Sequence, residues 1–205
     1  MKPYVELGSD EIRRLNREGL RASFEPLQIR DEAVEASTKM PEGKIGLVLG
    51  SGPNTGEWRG RGWATLDIDP VYGSDFVEDA NYLDRKIPPN SCDYVFAECI
   101  KFDPLGHAGV APARLLEQAN RVLKPGGLVI ISSATKYNKP GNTLPRREVF
   151  APKMLEHGFR AVVENHELRT FDMPGQGEVV EQAVVYYGQK VAEGYSPVQR
   201  VETIF

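Results

Sequence analysis

Cysteine is scarce in this chain: Cys92 and Cys99 are the two it has. One pair cannot make a disulfide framework, so a reducing compartment is expected. Histidine is nearly as rare. His107, His157 and His166 are scattered, and neither cysteine has a neighbour at metal-ligand spacing, so no zinc site is expected. No apolar run approaches the roughly 20 residues of a membrane helix. Met1 to Asp10 shows no basic stretch leading into an apolar one, so no signal peptide is expected and the cytoplasm is the default location. A basic excess is missing too. The net charge of −4 argues against a broad nucleic-acid footprint, although it leaves room for a small basic patch at Arg146-Arg147.

What is present reads as one globular domain. A chain of 205 residues can bury a sizeable core and suits one domain with a modest extension. Residues 1–40 are polar. Ser9 can cap a helix to about Gly19, Asp31 a short helix to about Thr38, and Pro26 between them should break helical continuity. This segment is read as a helical N-terminal extension packing on the domain at 41–205, or else as a partly disordered tail.

From Lys44 onward short apolar runs alternate with helical patterns. Strands are expected at Ile45 to Leu49, Trp63 to Ile68, Asp75 to Val77, Asp93 to Ala97 and Leu128 to Ser132. Leu115, Leu116, Ala119 and Val122 recur at helical spacing, which places a helix at about Pro112 to Val122, stopped by Lys124-Pro125-Gly126-Gly127. The last third reads as a helix at Glu148 to His157, then strands at Phe159 to Val163 and Ala183 to Tyr187 around a loop at Met173 to Gly177. The alternation predicts an open, doubly wound, mostly parallel sheet, with the last two strands close enough in sequence for an antiparallel pair.

Such sheets bind ligands beyond the carboxyl ends of their strands, at the topological switch point. The turn Gly50-Ser51-Gly52-Pro53 leaves the first strand there. Glycine lets the backbone bend sharply and approach a ligand with no Cβ in the way. An acid ending the second strand can accept hydrogen bonds from both hydroxyls of a ribose. Asp67 is the candidate and Asp69 its alternate. A dinucleotide also needs a full helix after the turn to receive its pyrophosphate, with a third glycine for close packing. The pattern here is Gly50-x-Gly52-x-x-x-Gly56, with room for about one helical turn before Gly62. This disfavours NAD and flavin and suits an adenosyl ligand without phosphate.

These residues resemble the class I S-adenosylmethionine-dependent methyltransferases. Leu47-Val48-Leu49-Gly50-Ser51-Gly52-Pro53 is similar to their glycine-rich first motif, and Thr65-Leu66-Asp67-Ile68-Asp69-Pro70 to their acidic second motif. Asp75-Phe76-Val77-Glu78-Asp79-Ala80 and Ser91 to Phe96 follow in family order. Glu117 to Gly127 resembles the helix and turn before the fifth strand and is the most specific match. Gly62-Trp63, soon after the glycine turn, is similar to a short-linker branch. The resemblance covers about residues 44 to 187. It implies a Rossmann-like seven-stranded sheet with the last strand antiparallel, and S-adenosyl-L-methionine as cofactor. By position it implies that Gly50 and Gly52 flank the methionine and ribose, that Asp67 binds the ribose hydroxyls, that Asp79 and Ala80 hold the adenine edge, that Glu98 lies at the methionine and acceptor end, and that Ser51, Pro53 and Ile68 beside them also belong to the cofactor site. One departure stands out: Val48 occupies the position where the family usually has an acid that helps hold the cofactor amine.

Methyl transfer is an in-line displacement in which alignment supplies much of the rate, with a base within reach where the acceptor must lose a proton. Glu98, Asp103 and His107 in the loop after the fourth strand are the base candidates, His107 for its intrinsic pKa near neutrality. Each has a plainer reading, as a helix-capping, solvent-facing or loop residue. Tyr72, Phe102 and Tyr137 are candidates to line the acceptor pocket or face the sulfonium, or simply pack. Lys136, Lys139, Arg146 and Arg147 could touch an acidic acceptor or form a solvated loop. The expected function is methyl transfer to a small molecule, such as a sugar or metabolite. The alternatives are a non-catalytic S-adenosylmethionine-binding module, for which Val48 speaks, an NAD-dependent enzyme, and a nucleic-acid methyltransferase. The last lacks the Asp-Pro-Pro-Tyr-like motif at the fourth strand. A homodimer is a further expectation.

Overall fold

The computed structural model of the chain describes residues 24–98, 100–102, 109–134, 147–173, 177–191 and 201–203. Eight strands form one sheet in the order β3-β2-β1-β4-β5-β7-β6-β8. They are β1 (Gly46–Leu49), β2 (Ala64–Asp67), β3 (Phe76–Val77), β4 (Cys92–Glu98), β5 (Leu123–Ala134), β6 (Phe159–Met173), β7 (Gly177–Lys190) and β8 (Val201–Thr203). The helices are α1 (Phe24–Thr38), α2 (Thr55–Gly60), α3 (Pro112–Val122) and α4 (Arg147–Glu156). Strands β1 to β5 pair in parallel, and β7 runs antiparallel to both β5 and β6. The expected Rossmann-like arrangement is therefore present. The short β8, parallel to β6, adds an edge strand to the seven expected. No helix among the described residues is long and apolar enough to cross a membrane.

Alternation along the central strands sends successive side chains to opposite faces. Leu47, Leu49, Val95, Ala97, Val129 and Ile131 face one layer, shared with Leu83, Leu115, Leu116 and Val122. Val48, Tyr94, Phe96 and Ile130 face the other, shared with Trp58, Trp63 and the α1 residues Ile29, Ala33 and Ala36. Both faces are covered, which is why these strands read as continuous apolar runs.

Four sequence expectations change. Pro26 does not interrupt the helix, because α1 starts at Phe24 and runs without a break to Thr38. Pro26 falls in its first turn, where a backbone N–H has no helical acceptor to lose. Asp31 consequently lies inside α1 rather than at its cap. The Lys124-to-Gly127 turn is absorbed into β5, where pairing with β4 jumps from Cys92↔Leu123 to Tyr94↔Leu128. Gly126, at φ 80°, makes that bulge, and a Cβ on Gly127 would lie 2.9 Å from the Asp93 carbonyl. Strands β6 and β7 are much longer than their apolar centres. β7 pairs with β5 only as far as Ala183↔Ala134, while its pairing with β6 continues to Gly177↔Met173. The hairpin thus projects about 20 Å past the end of β5, at ~3.4 Å per residue. The helix expected from Ser9 lies outside the described residues.

At the amino ends of the strands Asp93 ties three segments together. Its carboxylate accepts from the Ile45 N–H at 2.9 Å and from Lys124 Nζ at 2.8 Å, with Lys44 Nζ at 3.6 Å. Burial alone would raise its pKa, but the Lys124 and Ile45 hydrogen bonds and the two lysine charges outweigh this and hold it below the ordinary carboxylate value. A depressed folded-state pKa contributes stability that is present above the unfolded-state pKa and lost as pH falls through the folded-state value. Asp93→Asn is therefore expected to lower stability at neutral pH and to flatten its dependence on pH below about 4. Urea midpoints from pH 3 to 7 check this. Parallel curves for the two proteins would contradict it.

Candidate functional site

The turn after β1 is built around two left-handed glycines. Gly50 has φ 70° and Gly52 φ 51°, a region that side-chain-bearing residues rarely enter. A Cβ on Gly50 would lie 3.2 Å from the Glu98 carbonyl and 3.2 Å from Ile100 Cγ1, so β1 and β4 close on each other at the switch point. A Cβ on Gly52 would meet nothing within 4 Å, so open space lies beside that backbone.

Asp67 ends β2 and is 7% exposed. One of its oxygens accepts from the Gly52 N–H at 2.8 Å and the other from the Asp69 N–H at 3.0 Å. The carboxylate thus braces the glycine turn from the neighbouring strand. The Gly50 N–H donates to the Leu66 carbonyl at 2.9 Å, and the Ser51 N–H reaches the same oxygen at 3.4 Å. Asp69 is exposed and accepts from the Val71 N–H at 3.0 Å.

Behind the turn the polar groups point inward. Ser51 is buried, and its hydroxyl meets Thr55 Oγ1 at 2.9 Å and Ser74 Oγ at 3.0 Å. Arg59 on α2 donates to Asp75 at 2.9 Å and to the Gly73 carbonyl at 2.7 Å. The other Asp75 oxygen accepts from the Thr65 N–H and hydroxyl, both at 2.8 Å. Burial opposes ionisation of Asp75, and the Arg59 and Thr65 hydrogen bonds overcome it, so its pKa is lowered. This network pins α2 to the β2–β3 connection and so fixes the turn it follows.

The structure brings Gly50, Ser51, Gly52, Asp67 and Glu98 together at the carboxyl ends of β1, β2 and β4. Pro53 is exposed at the start of the short helical stretch. Ile68 is 67% exposed just past Asp67. Asp79 accepts from the Asn81 N–H at 2.8 Å and side-chain amide at 3.0 Å, starting the 3-10 segment that opens with the buried Ala80. Glu98 is half-buried at the end of β4. Tyr72 is 40% exposed at the end of the 3-10 turn that follows β2, whereas Phe102 is 5% exposed and belongs to the core. Asp103, His107 and Tyr137 lie outside the described residues. Val48 is fully buried among Trp58, Trp63 and Phe96.

Sequence reasoning missed Asn81. Its amide reaches the Gly109 carbonyl at 3.4 Å and its oxygen accepts from the Ala111 N–H at 3.1 Å, joining the segment after β3 to the start of α3. The Asp79-x-Asn81 spacing carried a turn signal, but nothing in it named the distant partner.

No family model and no curated protein sequence matches this chain. Among solved structures it is similar to an S-adenosylmethionine-dependent methyltransferase from Archaeoglobus fulgidus, at 17% identity and a TM-score of 0.57, over 87% of this chain and 99% of that one. The CurJ carbon methyltransferase matches at 19% identity and a TM-score of 0.52, over 78% of this chain, which spans only 52% of that protein. An arsenic(III) S-adenosylmethionine methyltransferase from Chlamydomonas reinhardtii matches at 16% identity and a TM-score of 0.51, over 78% and 67%. The chain therefore has the Rossmann-like fold found in S-adenosylmethionine-dependent methyltransferases.

Proposed function

We propose that the chain is an S-adenosylmethionine-dependent methyltransferase acting on a small-molecule acceptor. The observation that carries this reading is the wiring of the glycine turn. The Gly50 and Gly52 N–H groups are spent on the Leu66 carbonyl and the Asp67 carboxylate. A pyrophosphate needs such donors free at the start of a helix, and α2 has 6 residues. An adenosyl sulfonium needs a close backbone approach and a carboxylate for its sugar, without phosphate donors. The open space beside Gly52 and the placement of Asp67 fit that demand.

Bound S-adenosylmethionine supplies a methyl group on a sulfonium leaving group. The chain's own task is then to bind, align and exclude water. Gly50 and Gly52 flank the ligand. Asp67 still has acceptor lone pairs beyond its two backbone bonds for ribose hydroxyls, and Asp69 stands next to it. Ile68 offers an apolar face to the base, while Asp79 and Ala80 meet its edge. Glu98 faces the methionine and acceptor end, and Asp103 and His107 stay base candidates on their residue types and their place in the sequence after β4. A binding module without turnover is the second reading, favoured by Val48, whose position gives the cofactor amine no carboxylate.

Calorimetry with S-adenosylmethionine, S-adenosylhomocysteine and NAD tests the first step. Binding of the two adenosyl ligands without NAD is expected, and the reverse pattern would overturn the reading. S-adenosylhomocysteine release across a panel of hydroxyl, amine and thiol acceptors separates enzyme from module.

A further inference from the structure

The carboxyl end of β5 carries a polar group that none of the interactions above employs. Ser132 is 0% exposed, and among the described residues its hydroxyl has no hydrogen-bond partner. A buried hydroxyl left unpaired is unfavourable unless a water or ligand completes it. Its position narrows the choice. Ser132 pairs in register with Glu98 on β4, so the two residues are neighbours on adjacent strands at the open end of the sheet. By alternation both follow the face of Val48, Phe96 and Ile130. On that face β1 presents the apolar Val48, so an α-amino-acid group seated there gains no carboxylate from β1. The polar pair at the next level is Glu98 and Ser132.

We propose that Ser132 is a binding residue for the α-amino-acid head of the adenosyl ligand, its hydroxyl donating to the head's carboxylate while Glu98 faces the ammonium. One carboxylate and one neutral donor complement a zwitterion, whereas two carboxylates would repel half of it. This inference rests on the adenosyl-ligand reading above, and it assigns that ligand's far end to β5.

The test compares wild type with Ser132→Ala against two probes, S-adenosylhomocysteine and 5′-methylthioadenosine, which shares the adenosyl thioether but lacks the amino-acid head. Ser132→Ala is expected to bind S-adenosylhomocysteine about ten-fold more weakly, the size of one hydrogen bond to a charged group. Its affinity for 5′-methylthioadenosine should stay unchanged and its melting temperature should not fall. Equal losses for both probes would mean a structural role and overturn the proposal. Unchanged affinity for both would mean that water completes the hydroxyl and would overturn it as well. Wild type binding neither probe would sink the adenosyl-ligand reading itself, and this inference with it.

Discussion

Asp67→Ala is expected to lower affinity for S-adenosylhomocysteine by at least a hundred-fold and to destabilise the protein even without ligand. Two effects of different origin add. The carboxylate accepts from the Gly52 and Asp69 N–H groups, and deleting it leaves both part-buried donors to water, a loss of about 0.5–1.5 kcal/mol for each hydrogen bond. The glycine turn then loses its tie to β2. The ligand-side loss comes from the ribose hydroxyls, where two hydrogen bonds to a charged acceptor contribute about 1.5–3 kcal/mol each. Asp67→Asn separates the parts. An amide keeps one acceptor oxygen, so it should recover part of the stability but little of the affinity. Titration calorimetry and thermal melts on the three proteins decide the matter. Wild-type affinity in the alanine variant would remove Asp67 from the site and with it the argument for an adenosyl ligand.

The second large effect concerns the layer beneath the turn. Trp63 is 2% exposed, lies against Trp58, Tyr94 and Phe96, and donates from its indole N–H to the Ala36 carbonyl of α1 at 3.2 Å. Trp63→Ala is expected to cost about 3–5 kcal/mol, the range for removing a buried aromatic. That is a large share of the roughly 5–15 kcal/mol that holds a domain together. At about 2–4 °C per kcal/mol for a chain this long, the melting temperature should fall by roughly 10 °C. Trp63→Phe keeps most of the packing and should lose about 1 kcal/mol, the worth of the indole hydrogen bond. A near-native melting temperature for Trp63→Ala would mean that α1 and the aromatic layer bear little of the fold's stability.

Much of this architecture is legible in the sequence because burial on both faces leaves a plain trace. β1, β2 and β4 lie within a residue or two of their apolar runs, and α3 spans the residues its apolar spacing predicts. The errors have equally physical causes. Pro26 reads as a break only if its place within a helical turn is unknown. The outer parts of β6 and β7 carry polar residues such as Glu164 and Glu167, and their pairing partners, not their own periodicity, make them strands. At the site the types and order of Gly50, Gly52 and Asp67 were readable. The inward turn of Asp67 toward the Gly52 N–H was not, since it depends on a left-handed glycine 15 residues away in sequence. The cluster of Ser51, Thr55 and Ser74 carries no local pattern, and Ser132 is conspicuous only because nothing among the described residues answers its hydroxyl.

The anchoring of Asp93 at the base of the sheet has a consequence at the opposite rim. β4 sends Tyr94 and Phe96 into one layer and Val95 and Ala97 into the other, so sliding it by a single residue would exchange the two sets wholesale. Glu98 would then swing from the side of the aromatic cluster to the side of α3. The Ile45–Asp93–Lys124 tie acts as a stop against that slip, some 17 Å away at ~3.3 Å per residue. An ion cluster at the amino ends of the strands thereby decides which layer the Glu98 carboxylate joins.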